Sequence, residues 1–239
     1  MGPGWYPDPF APAGLRWWDG ATWTAHTNMV QPYDPAKDLA DEATAGVWAS
    51  RALVVSAVLT SASLVTVAVI FGRFVDLIRT DIDRADQGLP ITNTSPLGGG
   101  TTLLVDTVGL VGAAVQVAFI IWLFRAATIA QRVGLPARRS PLWAVLGFIV
   151  PVVNLWFPYQ VACDTFPPGD PARRLAGRWW ACYIAQTVAT IPVLVISAFS
   201  VPVAVLVAAL LCVIPVMTAL TGRALIVGVN ATHRHLLAR

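Results

Sequence analysis

The sequence predicts an all-α polytopic membrane protein: four transmembrane helices plus a broken re-entrant or interfacial segment, preceded by a tiny N-terminal Trp-rich β-hairpin module. Three observations indicate this fold class. Only 12% of the 239 residues are charged and 56% are hydrophobic, whereas about a quarter of a soluble domain is charged. The charges avoid several long apolar runs, and the mean hydropathy is +0.65. Finally, four of the ten tryptophans fall within residues 1–27.

Residues 1–27 are expected to form the aromatic-rich β module. Asp19-Gly20 suits a tight hairpin turn, because such turns need the positive φ that glycine adopts readily. The turn would join a strand ending at Trp18 to one containing Trp23. A segment this short usually needs extra support to fold, so stacked aromatic rings, or docking on a partner or the membrane, must stabilise it. The candidate partner-binding residues are Trp5, Tyr6, Trp17, Trp18 and Trp23.

Residues 28–46 are expected to form a linker that ends in a juxtamembrane helix. Asp34 followed by Pro35 is typical of a helix start, since the carboxylate accepts from free N–H groups and proline is favoured at the first helical position. Good helix formers follow and lead toward the first apolar run.

The membrane domain is predicted over residues 47–225. A helix needs about 20 apolar residues to cross the ~30 Å hydrocarbon core of a bilayer, and four runs are long enough. The predicted spans are about 50–71, 101–124, 179–199 and 202–221. The last two are so close in sequence that we expect a tight antiparallel hairpin. Beyond the first span, the four-residue spacing of Phe74, Ile78 and Ile82 predicts an amphipathic extension of the same helix.

A further apolar stretch, residues 141–163, is interrupted by Pro151 and Pro158. Proline removes a helix hydrogen bond and clashes with the preceding turn, so a straight helix through both prolines is not expected. Two models follow. Either this stretch spans the membrane and the chain crosses five times, or the stretch enters and returns on one side and the chain crosses four times.

The distribution of basic residues favours four crossings, because cytoplasmic loops carry an excess of Lys and Arg. With four crossings, 13 of the 16 Lys and Arg residues fall on the side of both termini, and only Arg73, Arg79 and Arg84 fall on the other. With five crossings the split is seven to nine. We therefore expect a multi-pass protein of the cell membrane whose N-terminus and C-terminus, including a basic tail at 226–239, are cytoplasmic.

Three polar residues within the apolar segments are candidate functional sites: Asp106, Asn154 and Gln160. Ionisable groups are rare inside membranes and are often functional, but Asp106 is close enough to the end of its span to reach the interface. Asn154 and Gln160 could satisfy backbone groups freed by the two prolines, which is a structural role. Broken helices of this kind also build substrate sites in transporters.

Other motifs for chemistry are missing from the sequence. It contains no nucleophile–base pattern, glycine-rich phosphate loop or metal-spaced cluster, so we expect no enzyme, no catalytic residue, no cofactor and no nucleic-acid partner. His233 and His235 flank Arg234 and could bind a metal weakly. A solvated tail touching anionic headgroups is the favoured interpretation of these two histidines.

The N-terminal aromatic spacing resembles a known family. Residues 4–9 (GWYPDP), 16–20 (RWWDG) and 23–24 (WT) resemble the module called domain of unknown function 2510, which is typically found at the N-terminus of actinobacterial membrane proteins.

The membrane part has a resemblance of its own. Residues 122–127 (WLFRAA), 150–160 (VPVVNLWFPYQ) and the pair 179–180 (WW) resemble the family called domain of unknown function 4328. One departure is the loop that follows Asp164, where a longer helical continuation is expected. Neither family has an established activity, so the two resemblances imply an architecture and leave the function open.

These observations predict a non-enzymatic membrane protein whose cytoplasmic head mediates protein interaction or envelope-associated assembly. Its partners would be the lipid bilayer and a protein bound by the N-terminal module. The alternative is a small transporter or channel subunit that uses the broken helix at 141–163.

Overall fold

The computed structural model describes residues 1–10, 14–29, 34–91, 99–150 and 152–238, and gives the backbone alone for residue 29 and for 99–109. Two compact units are present, Met1–Asp38 and Leu39–Arg239. The strands are β1 Gly4–Pro7, β2 Gly14–Trp18 and β3 Trp23–Met29. The helices are α1 Pro35–Asp86, α2 Gly99–Arg132, α3 Trp143–Ile149, α4 Phe157–Asp164, α5 Arg173–Val188, α6 Thr190–Ser197, α7 Val201–Leu211 and α8 Val213–Leu237.

The N-terminal unit is an antiparallel sheet in the order β1-β2-β3. The predicted hairpin is present as β2 and β3, joined by a turn in which the Asp19 carboxylate accepts N–H groups from Ala21 and Thr22, each at 2.7 Å. Gly20 has a φ of +106°, as the turn requires. The prediction was incomplete, because β1 adds a third strand that pairs with β2 and places Trp5 opposite Trp17.

Helix α1 begins where the sequence predicts. The Asp34 carboxylate accepts N–H groups from Ala36 at 3.0 Å and Lys37 at 3.1 Å, which caps the helix. The helix is 52 residues long, or about 78 Å at 1.5 Å per residue. It is therefore far longer than the ~30 Å hydrocarbon core, and the helix continues through Phe74, Ile78 and Ile82 to Asp86, as their spacing predicts.

Four helical segments are long and apolar enough to cross a membrane. They are Pro35–Asp86, Leu110–Arg132, Arg173–Ser197 and Val201–Leu237. The third and fourth are joined by residues 198–200 and form the expected tight hairpin. This hairpin packs on α1, where the Arg79 guanidinium donates to the Ala198 carbonyl at 2.6 Å. Gly72 permits this contact because a β-carbon there would overlap the Val201 side chain.

The helices enclose two apolar cores. The larger is built around the rings of Phe119, Trp122 and Trp179, and residues of α1, α2, α3, α4, α5 and α8 contribute to it. The smaller lies between α1, α6 and α7 and consists of Leu64, Ala68, Val193, Ala204 and Ala208. Small residues in the second core allow close approach of helix backbones, which is how helices associate in lipid.

The stretch from 141 to 163 enters and returns on one side of the bundle. Helix α3 packs against α4, with Gly147 against Phe157 and Pro158. The two ends of the stretch are joined, because the Arg138 backbone N–H donates to the Asp164 carboxylate at 2.7 Å. A segment that crossed the membrane would have ends ~30 Å apart, so this geometry selects the four-crossing model.

Candidate functional site

The five aromatic residues proposed to bind a partner divide between the two faces of the sheet. Trp5 and Trp17 form an edge-to-face pair across β1 and β2, with ring centroids 5.6 Å apart. Trp23 contacts both Trp18, at 5.2 Å, and Tyr6, at 6.3 Å. Since neighbouring side chains in a strand point to opposite faces, the sheet has a Trp5–Trp17 face and a Tyr6–Trp18–Trp23 face. The sequence alone did not distinguish these two faces, and it predicted a single group of partner-binding residues.

Arg16 fixes the sheet from the centre of β2, and sequence reasoning missed this role. Its guanidinium pairs with the buried Asp8 carboxylate at 3.0 Å and donates to the Thr24 carbonyl of β3 at 3.0 Å. It also lies over the Phe10 ring, with 5.3 Å to the centroid. One side chain therefore connects the residues after β1 with β3. This arrangement explains how so short a module, which contains no cysteine, holds its register.

The surface of the module is strongly aromatic. Trp5 is 45% exposed and Phe10 is 73% exposed. Both β1 and β3 are edge strands, so each presents backbone N–H and C=O groups along its outer side. An exposed tryptophan on an edge strand is suited to contact an extended chain that adds to the sheet or lies across it.

Of the intramembrane polar candidates, Gln160 is the best defined. Its carboxamide oxygen accepts from the Arg139 guanidinium at 3.2 Å, and that guanidinium also lies 4.0 Å from the centroid of the Phe157 ring. Nearby, the buried Asp164 carboxylate lies 3.7 Å from Arg138 and 3.8 Å from Arg173. The hydrogen bond between the Gln160 and Arg139 side chains therefore links α4 to the residues that precede the returning segment.

Asn154 lies in a short 3-10 turn, Val153–Leu155, between α3 and α4. Its carboxamide oxygen is buried and has no hydrogen-bond partner among the described residues. Proline frees backbone carbonyls, which need a donor, so this acceptor oxygen does not test the expected role of Asn154, and that role stays a prediction. Pro151 and the side chain of Asp106 lie outside the described residues, so the expectations for those two positions stay predictions.

A buried ionisable pair joins the first and last helices. His233 of α8 is 0% exposed and Glu42 of α1 is 1% exposed, and the distance from His233 Nδ1 to Glu42 Oε1 is 2.7 Å. His233 Nε2 lies 3.0 Å from the Thr165 carbonyl oxygen. A carbonyl can only accept, so Nε2 carries a hydrogen, and one proton is shared between Nδ1 and the carboxylate.

This pair corrects the prediction that His233 belongs to a solvated tail. Helix α8 continues to Leu237, and His233 extends its buried stripe at helical spacing from Ile226 and Val229. This helical spacing in the sequence could have indicated that His233 is buried. The partner, 191 positions away, left no comparable signal.

Among the residues that the structure describes, no three His, Cys, Asp or Glu side chains are grouped closely enough to hold a metal ion. The described side chains around the returning segment instead form ion pairs and hydrogen bonds with one another.

Four apolar helices, a returning segment and a separate small sheet define a multi-pass membrane protein with an N-terminal β module. A family model described as "Domain of unknown function (DUF4328)" matches residues 93–234, and one described as "Protein of unknown function (DUF2510)" matches residues 3–36. The chain belongs to the DUF4328 family and carries the second module before it, so both resemblances are confirmed in the expected order. No curated protein and no solved structure matches the chain.

Proposed function

We propose that this protein is a non-enzymatic membrane protein whose cytoplasmic N-terminal module binds an extended or proline-rich segment of a partner protein. The observation that carries the proposal is the Trp5–Trp17 pair, in which Trp5 is 45% exposed on an edge strand. Aromatic side chains supply large contact area at low entropic cost and are enriched at interaction surfaces.

The division of the aromatic residues supports this assignment. The Tyr6–Trp18–Trp23 cluster and the Arg16–Asp8 pair supply internal contacts that stabilise the sheet. Trp5 adds less to the interior because nearly half of its surface is exposed. Exposed aromatic side chains are the kind of surface on which proline-rich segments dock, since the extended conformation of such segments is already ordered.

The cytoplasmic location of the module rests on the charge distribution, with the basic residues concentrated on the side of the termini. The contact between Glu42 and His233 supports an even number of crossings, because it brings the first turns of α1 in the membrane unit and the last turns of α8 to one end of the bundle. Membrane anchorage would then hold any bound partner at the inner surface, where envelope-associated assembly takes place.

The proposal is tested with the purified full chain and an array of extended and proline-rich peptides. Trp5→Ala should weaken binding by about 2 kcal/mol, or ~30-fold, as expected for a tryptophan at the centre of an interface. Trp48→Ala is the matched control, because it removes a tryptophan that is 61% exposed but lies on α1. Hydrogen exchange over 14–29 checks that the sheet remains folded. Equal binding by the wild type and a folded Trp5→Ala variant would overturn the proposal.

A small transporter or channel subunit is the second candidate, and it is favoured by the buried carboxamide oxygen of Asn154, which has no hydrogen-bond partner among the described residues. Oxygen atoms at a break between two helices coordinate ions in transporters. Proteoliposome flux that is lost in Asn154→Ala would support this role. Absence of flux under cation, anion and proton gradients would count against it and leave the binding proposal as it stands.

A further inference from the structure

A surface groove of about 480 Å³ lies between α1 and α8. Gly46 forms part of its floor, where a β-carbon would come within 2.8 Å of the Asn230 carboxamide nitrogen. Ser50 and Arg51 line it from α1, and Arg223 and Asn230 line it from α8. Arg223 and Asn230 are seven positions apart on α8, and Gly46 and Ser50 are four positions apart on α1, so each pair lies on one face of its helix.

The groove contains hydrogen-bond donors that have no side-chain acceptor among the described residues. Arg223 and the Ser50 hydroxyl have no ion pair or side-chain hydrogen bond with any described residue. Arg51 lies over the Trp48 ring at 5.4 Å and makes no ion pair there. The Asn230 oxygen accepts from the Trp122 indole at 3.3 Å, which leaves its NH₂ group available. Among the described residues that line the groove, two are cationic and none is acidic.

The sequence places this groove at the boundary of the hydrocarbon core. Arg51 comes directly before the charge-free run 52–71, and Arg223 follows the charge-free run 202–221. Because both arginines line one groove, they lie at the same membrane surface. On the membrane side of Arg51 and Arg223, Val58 is 65% exposed and Leu220 is 54% exposed, so an apolar surface continues from the basic site into the lipid.

We propose that this groove binds an anionic glycerophospholipid. Its phosphate lies between the guanidinium groups of Arg51 and Arg223, which suit phosphate because they donate in a planar fork. Ser50 and Asn230 donate to the headgroup, and the acyl chains lie along the exposed apolar side chains of α1 and α8. The apolar continuation selects a membrane lipid over a soluble phosphate as the occupant. This inference is independent of the partner-binding module.

The test uses delipidated full chain in nonionic detergent and native mass spectrometry. The probes are phosphatidylglycerol and phosphatidylcholine with identical acyl chains. The wild type should retain phosphatidylglycerol preferentially. Each arginine near an anionic headgroup contributes about fivefold in affinity, so the Arg51→Ala/Arg223→Ala variant should lose roughly 20-fold or more of the preference. The double lysine variant should keep part of it, because the charge remains but the planar fork is lost.

Arg174→Ala is the matched control. Arg174 is an exposed arginine on α5 at the same end of the bundle, and its loss should leave the preference unchanged. An equal loss in this variant would overturn the proposal, because it would show attraction to net charge without a defined site. Equal retention of the two lipids by the wild type would also overturn it. So would displacement of the bound phosphatidylglycerol by millimolar inorganic phosphate, or a lipid-independent dimer that retains neither lipid.

Discussion

Replacing His233 with alanine should destabilise the helical bundle by about 3–5 kcal/mol, the range found when one partner of a buried ion pair is removed. The imidazole is 0% exposed and contacts Glu42 at 2.7 Å and the Thr165 carbonyl at 3.0 Å. Its removal leaves the Glu42 carboxylate, which is 1% exposed, without a partner. The Thr165 carbonyl loses a donor as well, and because an unsatisfied buried acceptor costs ~1–3 kcal/mol, we expect the effect toward the upper end of the ~3–5 kcal/mol range.

The assay is unfolding of the full chain in mixed micelles of mild detergent and dodecyl sulfate, followed by tryptophan fluorescence. Trp122 and Trp179 are almost completely buried in the larger core, so they report on its loss. Glu42→Ala should be destabilised to a similar extent as His233→Ala. The double variant should be less destabilised than the sum of the two, because neither buried partner is then left alone. His235→Ala, at an exposed position on the same helix, is the control and should change stability by less than about 1 kcal/mol.

The double-mutant cycle tests whether Glu42 and His233 stabilise the bundle as a pair. Coupling of more than ~1 kcal/mol between Glu42 and His233 is the expected result, since residues in direct contact are coupled on this scale. Strict additivity, or a His233→Ala variant as stable as His235→Ala, would refute the argument that this pair fastens α1 to α8.

Two further predictions concern packing and pH. Gly72→Ala should destabilise the contact of α1 with the α6–α7 hairpin by about 1–3 kcal/mol in the same unfolding assay, because the added β-carbon would overlap the Val201 side chain. Gly112→Ala is the control and should be tolerated, because nothing lies within 4 Å of the added β-carbon there. In the N-terminal module, hydrogen bonds from the backbone of Thr22 and then of Ala21 lower the pKa of Asp19. Its stabilising contribution is therefore present above the unfolded pKa of ~3.9 and is lost as pH falls through the lower folded value. The protection of the amides of residues 14–29, measured against their intrinsic exchange rate at each pH, should fall in acid, and it should fall less steeply in Asp19→Asn.

Much of the membrane architecture could be predicted because it depends on local composition. An apolar run of the right length indicates a membrane span whatever it packs against, and the prolines at 151 and 158 predict a break in the helix. The caps and turns at Asp34 and Asp19 were equally local, since each carboxylate bonds N–H groups two or three positions away.

What could not be predicted depends on contacts between distant positions. Strand β1 has only four residues and ends in proline, so it carries little intrinsic strand signal, and its pairing with β2 decides that it forms. The His233–Glu42 pair joins residues at opposite ends of the chain. The groove that contains Arg51 and Arg223 exists because Gly46 lets α1 and α8 approach, and a single sequence does not show which helices are neighbours.

The most direct test of the four-crossing account is cysteine accessibility in intact cells, in a background where Cys163, Cys182 and Cys212 are replaced. Asp170→Cys lies in the loop between α4 and α5, and Pro90→Cys lies beyond the end of α1. A membrane-impermeant maleimide should label Pro90→Cys and should label Asp170→Cys and His26→Cys only after the cells are opened. Labelling of Asp170→Cys from outside, with His26→Cys still protected, would show that residues 141–163 span the membrane and would contradict the account.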